Sequence, residues 1–153
     1  MPRNSSPPVS IFENPPENFS PALEVACAFL EVEGAVLILK RTGSEQGFWG
    51  LPGGKLEESE TPAEALRREF FEETKIQLPR QTDAIGRLYF QRPTVEYIFH
   101  MFRCTLDKRP TVILNAEHSD YGWFSDSEVQ SLALMSGGHE VFAFYKRYLN
   151  QAS

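Results

Sequence analysis

The chain has 153 residues, 41% hydrophobic and 24% charged, enough for one domain with a real core and too few for two. Its net charge of −6 argues against extended nucleic-acid binding, which needs a clustered basic surface. No apolar stretch reaches membrane-spanning length, and the start is polar and proline-rich where a secretory signal would be apolar, so a cytoplasmic protein with no membrane partner is expected.

Residues 1–20 carry prolines at 2, 7, 8, 15 and 16, which deny this segment a helix or a central strand. They read as an N-terminal arm ahead of a domain at 21–153, with Ile11 and Phe12 able to pin the arm to the body or to the second copy in a homodimer. From Leu23, "LEVACAFLEVEGAVLILKR" reads as two strands joined by a hairpin at Glu33-Gly34. Cys27 and Cys104 lie in apolar strand-like runs and fit buried, reduced thiols better than a disulfide. After a loop and the glycine pair of "LPGGK", read as a tight turn, a helix is expected from Pro62 to about Thr74. "IGRLYF" and "VEYIFHMFRCTL" are strand-like, with a turn around Arg92-Pro93, and the second is apolar on both faces and belongs near the sheet centre. "YGWFS" is a further strand, and a helix capped by Ser125 or Asp126 is expected to about Leu132. "HEVFAFYKRYL" sets Val141, Phe144, Tyr145 and Tyr148 at helical spacing. This order predicts an α/β (α+β) fold, a mixed β-sheet sandwiched between α-helices.

The central helix carries the chemistry. Thr61 is a good N-cap, Pro62 suits the first turn, and Glu64 completes a capping box. Glu69, Glu72 and Glu73 fall on one stripe beside an apolar stripe of Ala63, Leu66 and Phe70. Like charges at this spacing destabilise an isolated helix by about 0.2–0.5 kcal/mol a pair, and acids near the C-terminal end also oppose the macrodipole. A hard divalent cation would supply the missing attraction. The glycines just ahead let backbone approach such a ligand without an intervening Cβ.

Gly54, five residues, Glu60, seven residues, Arg68-Glu69, then Phe70, Glu72-Glu73 and Ile76 reproduce the pattern G-x5-E-x7-R-E-U-x-E-E-x-G-U, with U apolar. In this the chain resembles the Nudix hydrolases, specifically their MutT-like branch. One position departs: Lys75 stands where the pattern has glycine, a helix C-cap that lysine would fill in left-handed conformation at a cost of about 1–2 kcal/mol.

The resemblance implies Mg²⁺-dependent hydrolysis, with Mn²⁺ as the alternative, of a nucleoside diphosphate linked to another group. The foremost expectation is a nucleoside triphosphate cut to monophosphate and pyrophosphate. Glu69, Glu72 and Glu73 would bind metal with the Gly53 carbonyl, or that of Gly54, as a further ligand. Arg68 would orient the glutamates, and Glu60 would support Arg68 or its loop. Glu69 and Glu117 are both candidate general bases; Glu117 stands before Trp123 as an auxiliary glutamate does in the antimutator enzymes. Arg41, Lys55 and Gly54 are placed to meet phosphates, and Phe48, with Trp49, to stack on a base. His100 alternates with Ile98 and Phe102 and reads as a core histidine, while His118 and His139 lack metal-ligand spacing.

No asparagine stands in "MSGGHEVF", where guanine-reading members carry one, which argues against oxidised guanine as substrate. An ADP-ribose or nucleotide-sugar pyrophosphatase is the enzyme alternative, with Pro93 one residue from that branch's characteristic proline. A non-catalytic nucleotide-binding module is the alternative of another class, disfavoured because every charged position of the pattern is filled.

Overall fold

The computed structural model describes residues 8–152; prolines 2 and 7, with the rest of the first seven residues of the expected arm, lie outside the described residues. Eleven elements follow in order: β1 Ser10–Phe12, β2 Leu23–Val32, β3 Ala35–Arg41, β4 Trp49–Gly50, β5 Gly53–Lys55, α1 Pro62–Thr74, β6 Asp83–Gln91, β7 Glu96–Thr105, β8 His118–Phe124, α2 Asp126–Val129 and α3 Gly138–Ala152. The sheet runs β1-β6-β7-β2-β3-β4, with β5 paired to β2 and β8 to β3. It is mixed, because β2 and β7 run parallel while the other strand pairings are antiparallel.

Alternation along β2 divides the core between the two sheet faces. Ala26, Ala28 and Leu30 join Leu66 and Phe70 of α1, whereas Phe29 joins Val141 and Tyr145 of α3. Phe29 and Tyr145 stack with centroids 3.9 Å apart. The expected sandwich of a mixed sheet between helices is therefore the observed one. β7 lies between β2 and β6, which accounts for its apolar residues on both faces. Glu33 and Gly34 both take positive φ, 52° and 80°, in the predicted two-residue hairpin. Both cysteines are free and buried.

Three local expectations are corrected. The glycine pair is extended backbone, not a tight turn: Gly53 and Gly54 pair with Cys27 and Ala26 of β2. Ala63 is exposed, while Ala65, Leu66 and Phe70 are buried. The helix after Ser125 ends at Val129 and does not reach Leu132. It stops there because the next residues are needed at the sheet: Trp49 N–H donates to Ala133 O at 2.9 Å and Met135 N–H to Trp49 O at 2.9 Å. At the opposite margin, Ser10–Phe12 of the proline-rich arm pairs with β6, so this piece of the arm is an edge strand.

Candidate active site

The capping box at the start of α1 forms as its sequence requires: Glu64 N–H donates to Thr61 Oγ1 and Thr61 N–H to Glu64 Oε1. At its other end Lys75 has φ 63° and ψ 19°, and its N–H closes on Phe71 O at 2.8 Å. Between these caps the three glutamates that shared a stripe in the sequence separate by depth. Glu73 is 4% exposed, whereas the Glu69 and Glu72 side chains are 19% and 52% exposed. The helix lies on β5 and β2, and each step around its circumference moves a carboxylate from solvent toward the sheet.

Gly53 N–H donates to Glu73 Oε1 at 3.0 Å. A Cβ on Gly53 would stand 2.1 Å from Ala26 O, and one on Gly54 would stand 1.6 Å from Glu69 Oε2. The glycine pair is thus the surface against which two carboxylates press. Burial pushes Glu73 up to about 8; its bond from Gly53 opposes this, and Glu69 and Glu117 add to it. Burial likewise pushes Glu69 up to about 7, aided by Glu72 and opposed by Arg68.

Arg68 is the organiser of the cluster. Its Nε and Nη2 donate to both oxygens of Glu60 at 2.8 and 2.9 Å, a bidentate pair. Nη1 reaches Glu69 at 2.8 Å and Glu72 at 3.3 Å, and Nη2 also donates to Lys55 O at 3.0 Å. The guanidinium holds the Glu60 carboxyl down to about 2, with the Glu57 amide assisting. Glu60 therefore touches Arg68 and its own loop.

A cavity of about 810 Å³ opens over this cluster, within the range of small-molecule sites. Gly53, Gly54, Lys55, Arg68, Glu69, Glu73, Arg41 and Glu117 all line it. Sequence-distant Arg41 and Glu117 are brought together by a clasp between loops: Thr42 N–H donates to Glu117 O at 3.0 Å and Thr42 Oγ1 to Ala116 O at 2.7 Å. Arg41 is itself steadied by Ser44, through Nε to the carbonyl at 2.9 Å. Glu72, Glu60 and Phe48 are not among the lining residues; Trp49, the neighbour of Phe48, is. His100 is outside the lining too, bonded through Nε2 to Glu24 at 2.6 Å. His118 is buried beside Arg41 in the sheet register, and burial lowers it to about 4.

No group of three or more His, Cys, Asp or Glu side chains among the described residues forms a ready cage for a metal ion. The donors nonetheless fit a hard cation that keeps part of its coordination for water and phosphate oxygens. Glu73 is a buried carboxylate that no salt bridge reaches among the described residues, and Glu69 sits beside it against backbone stripped of side chains.

Sequence reasoning missed Glu45, Arg92 and Tyr97, which line the same cavity from the β3–β4 loop, the β6–β7 turn and β7. Arg92 stood only as part of a turn, and nothing local in the sequence links it to Glu45, 47 residues away.

A family model for the NUDIX domain matches residues 20–145. A MutT-like protein of Streptomyces ambofaciens is 36% identical over 93 residues, covering 59% of this chain, which spans 57% of the length of that relative. The solved MutT protein of Methanosarcina mazei Go1 superposes with a TM-score of 0.74 at 26% identity, over 87% of this chain and 96% of the other. A bifunctional NMN adenylyltransferase/ADP ribose pyrophosphatase of Francisella tularensis, solved with AMP and a Mn ion, superposes with a TM-score of 0.70 at 24% identity, over 85% of this chain and 42% of that one. At that identity the likeness is one of fold.

Proposed function

The chain belongs to the Nudix hydrolase family, and from that premise we propose that it hydrolyses nucleoside triphosphates to monophosphate and pyrophosphate, with Mg²⁺ or Mn²⁺ as cofactor. The observation that carries this reading is the burial of Glu73 against Gly53, a carboxylate held out of water with no salt bridge among the described residues. Such a group raises its affinity for a proton or for a metal ion.

Glu69, Glu72 and Glu73 would hold the cation, with the Gly53 carbonyl as a further ligand. When bound, a divalent cation neutralises phosphate oxygens and acidifies the attacking water. The chain's own part is positional. Arg68 fixes Glu69 and Glu72 by charge-assisted bonds and is fixed in turn by Glu60. Gly54 leaves room for the Glu69 carboxylate, and Arg41 and Lys55 bring positive charge to phosphates that the acidic protein otherwise repels. Glu69 and Glu117 are the two candidates that would accept the proton of water. Both line the cavity, and both act on Glu73 electrostatically.

The test is release of phosphate and pyrophosphate from nucleoside triphosphates, ADP-ribose and nucleotide sugars with Mg²⁺ and with Mn²⁺, beside a Glu69→Gln control. Pyrophosphate from triphosphates, lost in the control, is the expected result. Turnover confined to ADP-ribose or nucleotide sugars would move the enzyme to the other branch, and silence across the panel would leave a binding module.

A further inference from the structure

The cavity has a second region, chemically unlike the first, on the other side of β2. Val25 pairs with Lys55 of β5 along one edge and with Phe99 of β7 along the other, so the glycine pair and the β7 aromatics flank the same strand. The β7 side is walled by Tyr97 and Phe99, while Trp49 of β4 lines the cavity from the β3 side. Set into these walls is an ion pair: Arg92 Nη2 donates to Glu45 Oε2 at 3.1 Å, and the guanidinium lies over the Tyr97 ring, 5.9 Å from its centroid.

Glu45 holds this position against two costs. Its side chain is only 7% exposed, and its backbone is left-handed, with φ 56°, a conformation that favours glycine. Its other oxygen accepts the Ser136 N–H at 2.8 Å, so it joins three loops that are remote in sequence. A clasp alone would need neither a buried charge nor a strained glutamate, and strain of this kind gathers at ligand-binding positions. A carboxylate has about four acceptor sites and a guanidinium five donors, and the described bonds leave several of each for a ligand.

We propose that Glu45 and Arg92 are the specificity-determining pair of this site, reading the hydrogen-bonding edge of an amino-bearing purine held against the aromatic wall of Tyr97 and Phe99. Every base has a flat face for the aromatic walls, and a purine offers the larger one. The exocyclic amine donates to the Glu45 carboxylate, and a ring nitrogen or carbonyl beside it accepts from Arg92. A base lacking the amine leaves the desolvated Glu45 carboxylate one partner short, which is how a polar site rejects a near-isostere. This inference rests on the nucleotide reading above.

Calorimetric titration of the full metal-free chain tests it without turnover, comparing GMP with IMP and AMP with purine riboside 5′-monophosphate, pairs that differ only in the amine. Binding about tenfold tighter for the amino-bearing member of at least one pair is expected. Glu45→Gln keeps an oxygen for Ser136 and should narrow that gap to about twofold. Arg92→Lys, which keeps the charge and loses the planar fork, should narrow it also and serves if Glu45→Gln does not fold. A gap that survives both substitutions overturns the proposal, as does an equal loss for both members of a pair, the mark of a clasp. Absence of binding by any purine nucleotide overturns it as well. Hydrolysis of the corresponding triphosphates with Mg²⁺ is scored separately. Turnover without discrimination for the amine sinks the pair's role and leaves the hydrolase, whereas selective binding without turnover does the reverse.

Discussion

The carboxylate of Glu69 occupies the space where a side chain on Gly54 would stand, with Oε2 1.6 Å from the ideal Cβ position. Gly54 has no left-handed backbone, so a methyl there strains nothing but the carboxylate. Gly54→Ala should therefore cost less than about 1 kcal/mol of stability, because Glu69 can swing away, yet lower kcat by roughly 100-fold through misplacement of that carboxylate. Thermal melts beside steady-state rates separate the two effects, and equal damage to both would assign Gly54 to packing alone.

Gly53 behaves oppositely. Its φ is 143°, and a Cβ would meet backbone, 2.1 Å from Ala26 O and 2.6 Å from Cys27 Cα. Neither neighbour can rotate aside. Gly53→Ala should destabilise the protein by about 2–3 kcal/mol, read from denaturant midpoints at unchanged m.

Glu72 is the exposed member of the acid cluster, ion-paired with Arg68 at 3.3 Å and beside the Glu69 carboxyl. Its exposed ion pair adds less than about 1 kcal/mol to stability, so Glu72→Gln should leave the melting temperature nearly unchanged. Metal-dependent turnover should nonetheless fall by about 100-fold or more. Retention of more than about a tenth of the activity would remove Glu72 from the metal site.

The metal-free protein should lose stability as pH rises from 4.5 toward about 8. In that window the unfolded Glu73 carboxyl has released a proton that the folded one, raised by burial, still keeps, and stability falls where the unfolded state binds fewer protons. Melting in a chelator across this range measures the decline, and Glu73→Gln should flatten it. Added Mg²⁺ or Mn²⁺ should offset it, since a cation can take the proton's place. A Glu73→Gln profile as steep as the parent's would show that other groups set the pH dependence.

Lys75 closes α1 in left-handed conformation with no basic partner to share the last turn. Lys75→Gly relieves the Cβ clash, loses the ammonium 5.2 Å from the Phe71 ring, and adds chain entropy to the unfolded state. The balance should be a gain of up to about 1 kcal/mol, and a lowered melting temperature would show that the Phe71 contact outweighs the strain.

What was legible in the sequence is what depends on neighbours a few residues apart. The capping box of Thr61 and Glu64, the Glu33-Gly34 hairpin, the left-handed Lys75 and the Glu60–Arg68–Glu69 spacing all turn on one helical turn or two, and each forms as read. Tertiary structure alone decided how deep each carboxylate lies, because periodicity places Glu69, Glu72 and Glu73 on a stripe but cannot say which edge meets the sheet. It also ended α2 at Val129, where hydrogen bonding of Ala133 and Met135 to Trp49 outweighed helix propensity. The Glu45–Arg92 pair belongs to the same class: two charges 47 residues apart meet only because β3 and β6 end at one cavity, and a desolvated ion pair needs that enclosure before either residue has a partner.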